Sequence, residues 1–157
     1  MLAILVGVSY PLYASVSERA LQNAAHLIQG DLRLAQQTAV ARAASGPRVE
    51  FCMRNNGYDI YAVDFIDSLE RTGAAAGGNI KVANAGEEYR AGIVVTIDPT
   101  ATDPCLTDST RRAIAFSGAG TPISFDDPSA KVITLTFKGG TRRVAIDPAT
   151  GVATVGR

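Results

Sequence analysis

Leu21-Gln-Asn-Ala-Ala-His-Leu-Ile-Gln-Gly-Asp-Leu-Arg-Leu-Ala-Gln-Gln-Thr-Ala39 is the stretch whose reading decides the fold. Leu21, Ala24, Ala25, Ile28, Leu32, Ala35 and Ala39 recur at intervals of three and four, and Gln22, His26, Gln29, Arg33 and Gln36 fall on the other side. That spacing predicts an amphipathic helix with one packing partner. From Ala14 to Ala44 there is no Pro and a single Gly, Gly30, among many Ala, Leu, Gln and Arg residues, which favour helix. Leu21, Ala25, Ile28, Leu32, Ala35 and Ala39 are therefore the expected contacts between this helix and the rest of the chain.

Toward the N-terminus the helix changes character. Residues 1–8 are apolar all round, with Leu2, Ile4, Leu5, Val6 and Val8 available to lipid or to other helices. Pro11 stands where the two regimes meet and predicts a kink or local melting. Gly46-Pro47 predicts the stop. The expected layout is an N-terminal helix over 1–46, apolar over 1–14 and amphipathic over 15–46, followed by a β-rich head over 47–157. The apolar start falls short of the roughly 20 residues of a spanning helix. A cleaved signal peptide is the alternative, but no basic region precedes the run and no A-x-A site follows it. The expectation is that further residues precede Met1.

The totals bound the rest. At 157 residues and 16.4 kDa the chain is one domain plus the helix. Charged residues make up 19% and hydrophobic ones 46%, which argues against wholesale disorder. The formal net charge is zero but unevenly spread, from −5 over 47–128 (seven basic, twelve acidic) to +4 over 129–157 (five basic, one acidic). Cys52 and Cys105 are a candidate disulfide; the alternative is two thiols with Cys52 buried in a strand. One His and C-x52-C offer no metal-ligand spacing.

After the helix, Arg48–Met53 and Tyr58–Val63 alternate around Asn55-Asn-Gly57 and predict a hairpin. Residues 64–78 read as a loop. Asn79–Val82 and Tyr89–Ile97 read as strands, and 98–108 as an irregular connection in which Pro99 and Pro104 forbid regular pairing. Arg111–Phe116 returns to strand. Lys131–Phe137, a Gly139-Gly140 turn, Thr141–Ile146, an Asp147–Gly151 turn and Val152–Val155 predict a closing meander.

Several of these segments together resemble a known family. The apolar start, Pro11 beside Tyr10, the Ala-rich continuation and Gly30-Asp-Leu-Arg-Leu-Ala-Gln-Gln-Thr-Ala-Val-Ala-Arg42 resemble the N-terminal helix of type IV pilin-like proteins. The similarity is greatest to the GspH/FimT class of minor pseudopilins. There an "LRLAR-x-x-A"-like segment closes the helix, and Leu32-Arg-Leu-Ala-Gln36 with Ala39 fits except that Gln36 replaces the basic residue. Phe116-Ser-Gly-Ala-Gly120-Thr-Pro122 resembles the family's "F-x-x-x-G" turn, and Arg143 to Val155 its closing hairpin. The resemblance implies an α+β fold, a long N-terminal α-helix packed against a mostly antiparallel β-sheet head (pilin-like). It implies a structural subunit that helps initiate or cap a type IV pilus-like or type II secretion filament. Anchoring would be in the inner membrane through the helix, with Leu2, Ile4, Leu5, Val6, Val8 and Pro11 entering the filament core and the head outside the cytoplasm. Partners would be other pilins or pseudopilins and the inner-membrane assembly platform. It also places a cleavage site and a methylated N-terminus upstream of Met1.

No catalytic constellation is legible, and neither a cofactor nor a small-molecule substrate is expected. His26 reads as a solvated residue without a nucleophile motif. Gly118-Ala-Gly120 leads into Thr121-Pro122 instead of a helix and reads as a turn. Asp126-Asp127-Pro128 lacks a calcium loop's ligand series. The alternative function is a receptor for DNA or a secretion substrate through the basic end, Lys138, Arg142, Arg143 and Arg157. Adjacent strand residues point to opposite faces, however, so Arg142 and Arg143 cannot both face one ligand.

Overall fold

The computed structural model describes residues 2–45, 48–54, 57–63, 79–84, 86–97, 103–105, 112–123 and 131–156, with helix side chains described from Val16 onward. The expected loop over 64–78, Pro99, Asp126-Asp127-Pro128 and Arg157 lie outside them.

One helix, α1, spans Leu2–Ala41, 40 residues, about 60 Å at 1.5 Å per residue. It continues through Pro11, so the local melting expected there does not occur; proline removes one backbone donor, and neighbouring bonds carry the helix on. The helix stops before the expected Gly46. Arg42 N–H still donates to Thr38 O at 3.0 Å, and a single 3-10 turn, Ala43–Ser45, tightens the exit.

Two antiparallel sheets follow where a single sheet was expected. The first joins β1 (Arg48–Arg54), β2 (Gly57–Val63), β3 (Asn79–Asn84), β5 (Asp103–Pro104), β6 (Arg112–Phe116) and β7 (Pro122–Ile123) in the order β3-β2-β1-β6-β5, with β7 also on β6. The second joins β4 (Val94–Ile97), β8 (Lys131–Phe137), β9 (Gly140–Ile146) and β10 (Ala153–Gly156) in the order β10-β9-β8-β4.

The expected β1–β2 hairpin is present, with Phe51 opposite Ile60 and Met53 opposite Tyr58. Three expectations are corrected. The strand read over Tyr89–Ile97 begins only at Val94, because Gly92 turns the chain at φ +87° and Ile93 N–H closes that turn on Arg90 O. Pro104 does pair, within the two-residue β5, at the sheet edge where a missing donor is tolerated. The β8–β9 turn is Lys138-Gly139, not Gly139-Gly140; Phe137 pairs with Gly140, and both turn residues take positive φ, 49° and 81°, as a tight hairpin with right-handed twist requires.

The core is one cluster that runs from the helix into both sheets. Leu21, Ala24, Ala25, Ile28, Leu32, Ala35 and Ala39 pack with Phe51, Tyr58, Ile60, Ile114 and Phe116 of the first sheet and Ile133, Leu135, Val144 and Ile146 of the second. Every helix residue expected to face the head is buried. Each fully buried Leu or Ile contributes roughly 1.5 to 3 kcal/mol. A smaller cluster, Cys52, Cys105 and Ala113 with Tyr61 against it, lies apart from this core.

Candidate functional site

The seam between helix and head determines which face of the helix stays exposed, and it is tied on both flanks. On the first sheet's side, Asp31 is buried within the apolar stripe, between Ile28 and Ala35. Its carboxylate accepts a hydrogen bond from the Tyr58 hydroxyl at 2.5 Å and pairs with Lys81 Nζ at 2.9 and 2.8 Å. Glu88 adds a second carboxylate 3.4 Å from Lys81. Tyr58 itself is stacked between Phe51 and Tyr89, with ring centroids 4.3 and 6.5 Å away. Burial first, then the Asp31 hydrogen bond and charge, push the Tyr58 phenol far above its ordinary range. Sequence reasoning missed Asp31 as a contact. Its signal was positional, because residue 31 continues the 24, 28, 35 stripe and a carboxylate there requires a partner.

On the other flank, against the second sheet and the β6–β7 turn of the first, the ties come from residues read as solvent-facing. The Gln29 amide donates to Ala153 O at 2.7 Å. The Gln36 amide donates to Gly120 O at 2.8 Å and to Thr150 O at 2.9 Å, so one side chain holds the turn after β6 and the turn after β9 together. Arg142 pairs with Glu18, nearer the helix start. Glycines allow the close approach. A Cβ on Gly140 would lie 2.9 Å from Leu21 Cδ1, and one on Gly120 would lie 3.0 Å from Val40 Cγ2.

The outward face of α1 exposes Val16 and Leu34 together with Arg19, Arg33 and Gln37, and Val40, half exposed, stands at the edge of the seam beside Gly120. His26 is exposed there as well; Gln22 donates to its Nε2 at 3.1 Å and its Nδ1 donates to Gln29 at 3.4 Å. Leu2, Ile4, Leu5, Val6, Val8 and Pro11 belong to the same continuous helix, with side chains outside the described residues. Among the described residues no helix is long and apolar enough to cross a membrane.

The basic residues of the C-terminal hairpin are not brought together. Arg142 is buried and turned toward Glu18, whereas Arg143 is exposed on the opposite face of β9. Lys138 is exposed at the turn, with Nζ 5.5 Å from the centre of the Phe137 ring. Arg90 stands 5.5 Å from the same ring, a cation that the sequence reading did not associate with this end. A shallow groove of about 530 Å³ runs beside the β9–β10 turn, between Ile146, Pro148 and Val152. Its one carboxylate, Asp147, is spent on the turn, accepting from the Thr150 hydroxyl at 2.8 Å and from the amides of Thr150 and Ala149. Those bonds hold its pKa below the usual carboxylate value.

Cys52 and Cys105 are joined as a disulfide with Cα atoms 6.0 Å apart, so of the two alternatives the covalent one is realised. The bond lies beneath the first sheet with Glu50 and Arg48, both almost fully buried and paired at 2.8 Å. Compared with protein-family models, with curated proteins and with solved structures, the chain matches none.

Proposed function

We propose that this chain is a minor pilin or pseudopilin, a pilin-like subunit that helps initiate or cap a filament of the type IV pilus or type II secretion kind. One observation carries the reading: a single unbroken helix is apolar on every side over its first turns and, from Glu18 onward, is fixed to both sheets of the head. Such an element acts as a rigid handle. Its free end rests in the inner membrane or among neighbouring helices, and its bound end sets the orientation of the head. Lipid tails and helix surfaces are about equally apolar, so transfer from membrane to filament is governed by packing and polar matching instead of a large hydrophobic gain. The partners are other pilin-like subunits and the inner-membrane platform that assembles them. The sequence resemblance to the GspH/FimT class supports the same role.

The test is extraction and intact mass of the chain from its native membranes. Retention through high-salt and alkaline washing, together with an N-terminus methylated ahead of the apolar run, is the expected result. Release by salt alone, from a chain with no such processing, would sink the reading.

A further inference from the structure

We propose that Glu50, Cys52 and Cys105 form a zinc site when the disulfide is reduced, so that the β5 segment is stapled to the first sheet either covalently or through a metal ion. Glu50 and Cys52 stand two residues apart on β1 and therefore share a face. Cys105 follows β5 on the far side of β6. Cys52 and Asp103 both pair with Ala113, so Cys105 reaches Cys52 across that small side chain. One carboxylate oxygen and the two sulfurs all lie within 4.8 Å of one another, and all three residues are buried.

The carboxylate divides its two oxygens. Oε1 faces Arg48 Nε at 2.8 Å, and Oε2 faces Cys52 Sγ at 3.5 Å. A disulfide sulfur has no proton to donate, so the second approach is a contact and not a hydrogen bond. Its length suits a metal: a tetrahedral zinc with Zn–S about 2.3 Å and Zn–O about 2.0 Å separates sulfur from oxygen by about 3.5 Å. The two sulfurs would open to about 3.8 Å by the same geometry, within what rotation about the cysteine side-chain bonds supplies. Arg48 would then hold Glu50 from behind, as outer partners hold metal-binding carboxylates.

Charge favours the exchange. With the disulfide, or with two neutral thiols, Arg48 and Glu50 sum to zero. With Zn(II), two thiolates, Glu50 and Arg48, the sum is again zero, and the Arg54–Asp59 pair, whose Asp59 stands opposite Cys52 on β2, is neutral in itself, so these groups take up the metal without acquiring net charge. Reduction and metal uptake are separate steps. A dithiol gives two electrons and two protons to the disulfide; the S–S bond breaks, each sulfur becomes a thiol, and the dithiol becomes a disulfide. Zn(II) then displaces the two thiol protons to solvent and forms two Zn–S bonds and one Zn–O bond, keeping one of its own waters as the fourth ligand, with no change in its oxidation state. Two thiolates and a carboxylate are a ligand set that suits zinc. The site does not depend on the filament role.

The test uses the full chain in detergent, reduced with a phosphine and titrated with Co(II) as a spectroscopic stand-in for zinc. The expected result is one Co(II) per chain, with thiolate-to-cobalt charge-transfer absorption that Zn(II) abolishes, and no absorption from the oxidised chain. Glu50→Gln removes a direct anionic ligand and should weaken the affinity by at least the roughly tenfold that loss of an outer partner costs. Absence of charge-transfer bands from the reduced chain, or an unchanged affinity in Glu50→Gln, would overturn the site. If reduction unfolds the chain, Co(II) or Zn(II) must restore its far-ultraviolet circular dichroism, and failure to do so counts equally against it.

Discussion

Asp31 and Lys81 meet across the seam between α1 and the first sheet, with the ammonium 2.9 and 2.8 Å from the two carboxylate oxygens. The two residues lie far apart in the chain, and the Tyr58 hydroxyl completes the carboxylate's shell. A buried charge on a helix is costly unless paired and hydrogen-bonded, so this cluster fixes the rotation of the helix as well as its position. Slipping the helix by one residue would carry Asp31 away from both partners.

Asp31→Asn should therefore destabilise the head by about 2 kcal/mol, the range of a hydrogen bond to a charged group. A fully buried pair would lose more on disruption, about 3 to 5 kcal/mol, but Lys81 keeps 25% of its side chain in solvent and so retains a hydrated alternative. A lower urea midpoint with an unchanged slope is the expected reading. An unchanged midpoint would mean that the apolar stripe alone holds the helix.

The same cluster predicts a loss of stability at alkaline pH. Burial opposes the Lys81 charge, but the Asp31 hydrogen bond and charge, with Glu88, outweigh it and hold the pKa above the ordinary amine value. This contribution is present below the unfolded amine pKa of about 10.4 and is lost as pH rises through the folded value. Tyr58, and by burial Tyr89 despite the opposing Arg54 charge, are also raised. An unfolded tyrosine releases its proton near pH 10 while the folded one keeps it, which again favours unfolding as pH rises. The melting temperature should fall above about pH 10, and Tyr58→Phe should make that fall shallower. An identical slope in the variant would show that Tyr58 ionises as readily folded as unfolded.

Gly151 and Gly139 separate backbone strain from contact. Both take positive φ, 71° and 81°. A Cβ on Gly139 meets nothing within 4 Å, whereas one on Gly151 would run into Gly120 O and lie 2.8 Å from Gln36 Nε2. Each Ala variant carries about 1 to 2 kcal/mol of left-handed strain. Gly151→Ala also displaces the Gln36 amide from its two carbonyls, at about 1 kcal/mol for each bond. Gly151→Ala should thus unfold at a lower urea concentration than Gly139→Ala, and equal midpoints would mean that the Gln36 clamp contributes nothing.

The apolar half of this seam is legible in the sequence and the polar half is not. A 3.6-residue repeat reports which residues face a partner, and each member of the Leu21 to Ala39 stripe is buried as the repeat predicts. It does not report that a long side chain at the rim of the stripe can bend back to the head. Periodicity for that reason places Gln29 and Gln36 in solvent, although Gln29 reaches Ala153 O of the second sheet and Gln36 bridges Thr150 O in that sheet's last turn and Gly120 O in the first sheet's β6–β7 turn. Strand propensity finds β1, β2, β8 and β9 but runs Tyr89 to Ile97 together, because the positive φ at Gly92 interrupts a run whose residues otherwise read as strand. The division into two sheets is hidden for a related reason. It depends on which strands become neighbours, such as β4 on β8, and local alternation carries no record of that.

Arg142 and Arg143 allow the receptor alternative to be tested within one hairpin. Arg142 is buried against the helix and paired with Glu18, so Arg142→Ala removes the packing of its stem along with the pair. Glu18 is 50% exposed, which discounts the ionic part, and a total loss of about 1 kcal/mol is expected. Arg143 is exposed, and Arg143→Glu should change stability by less than about 0.5 kcal/mol. In the filament role neither substitution alters an interaction with DNA, and the full chain in detergent should give no retardation of duplex or single strand at low salt. Retardation that vanishes in Arg143→Glu at an unchanged melting temperature would instead move the function to a DNA receptor, since nonspecific affinity follows the number of phosphates that the protein neutralises. Loss in Arg142→Ala but not in Arg143→Glu would indicate a damaged fold, because the Arg142 guanidinium is held at Glu18 and away from the outer face of β9.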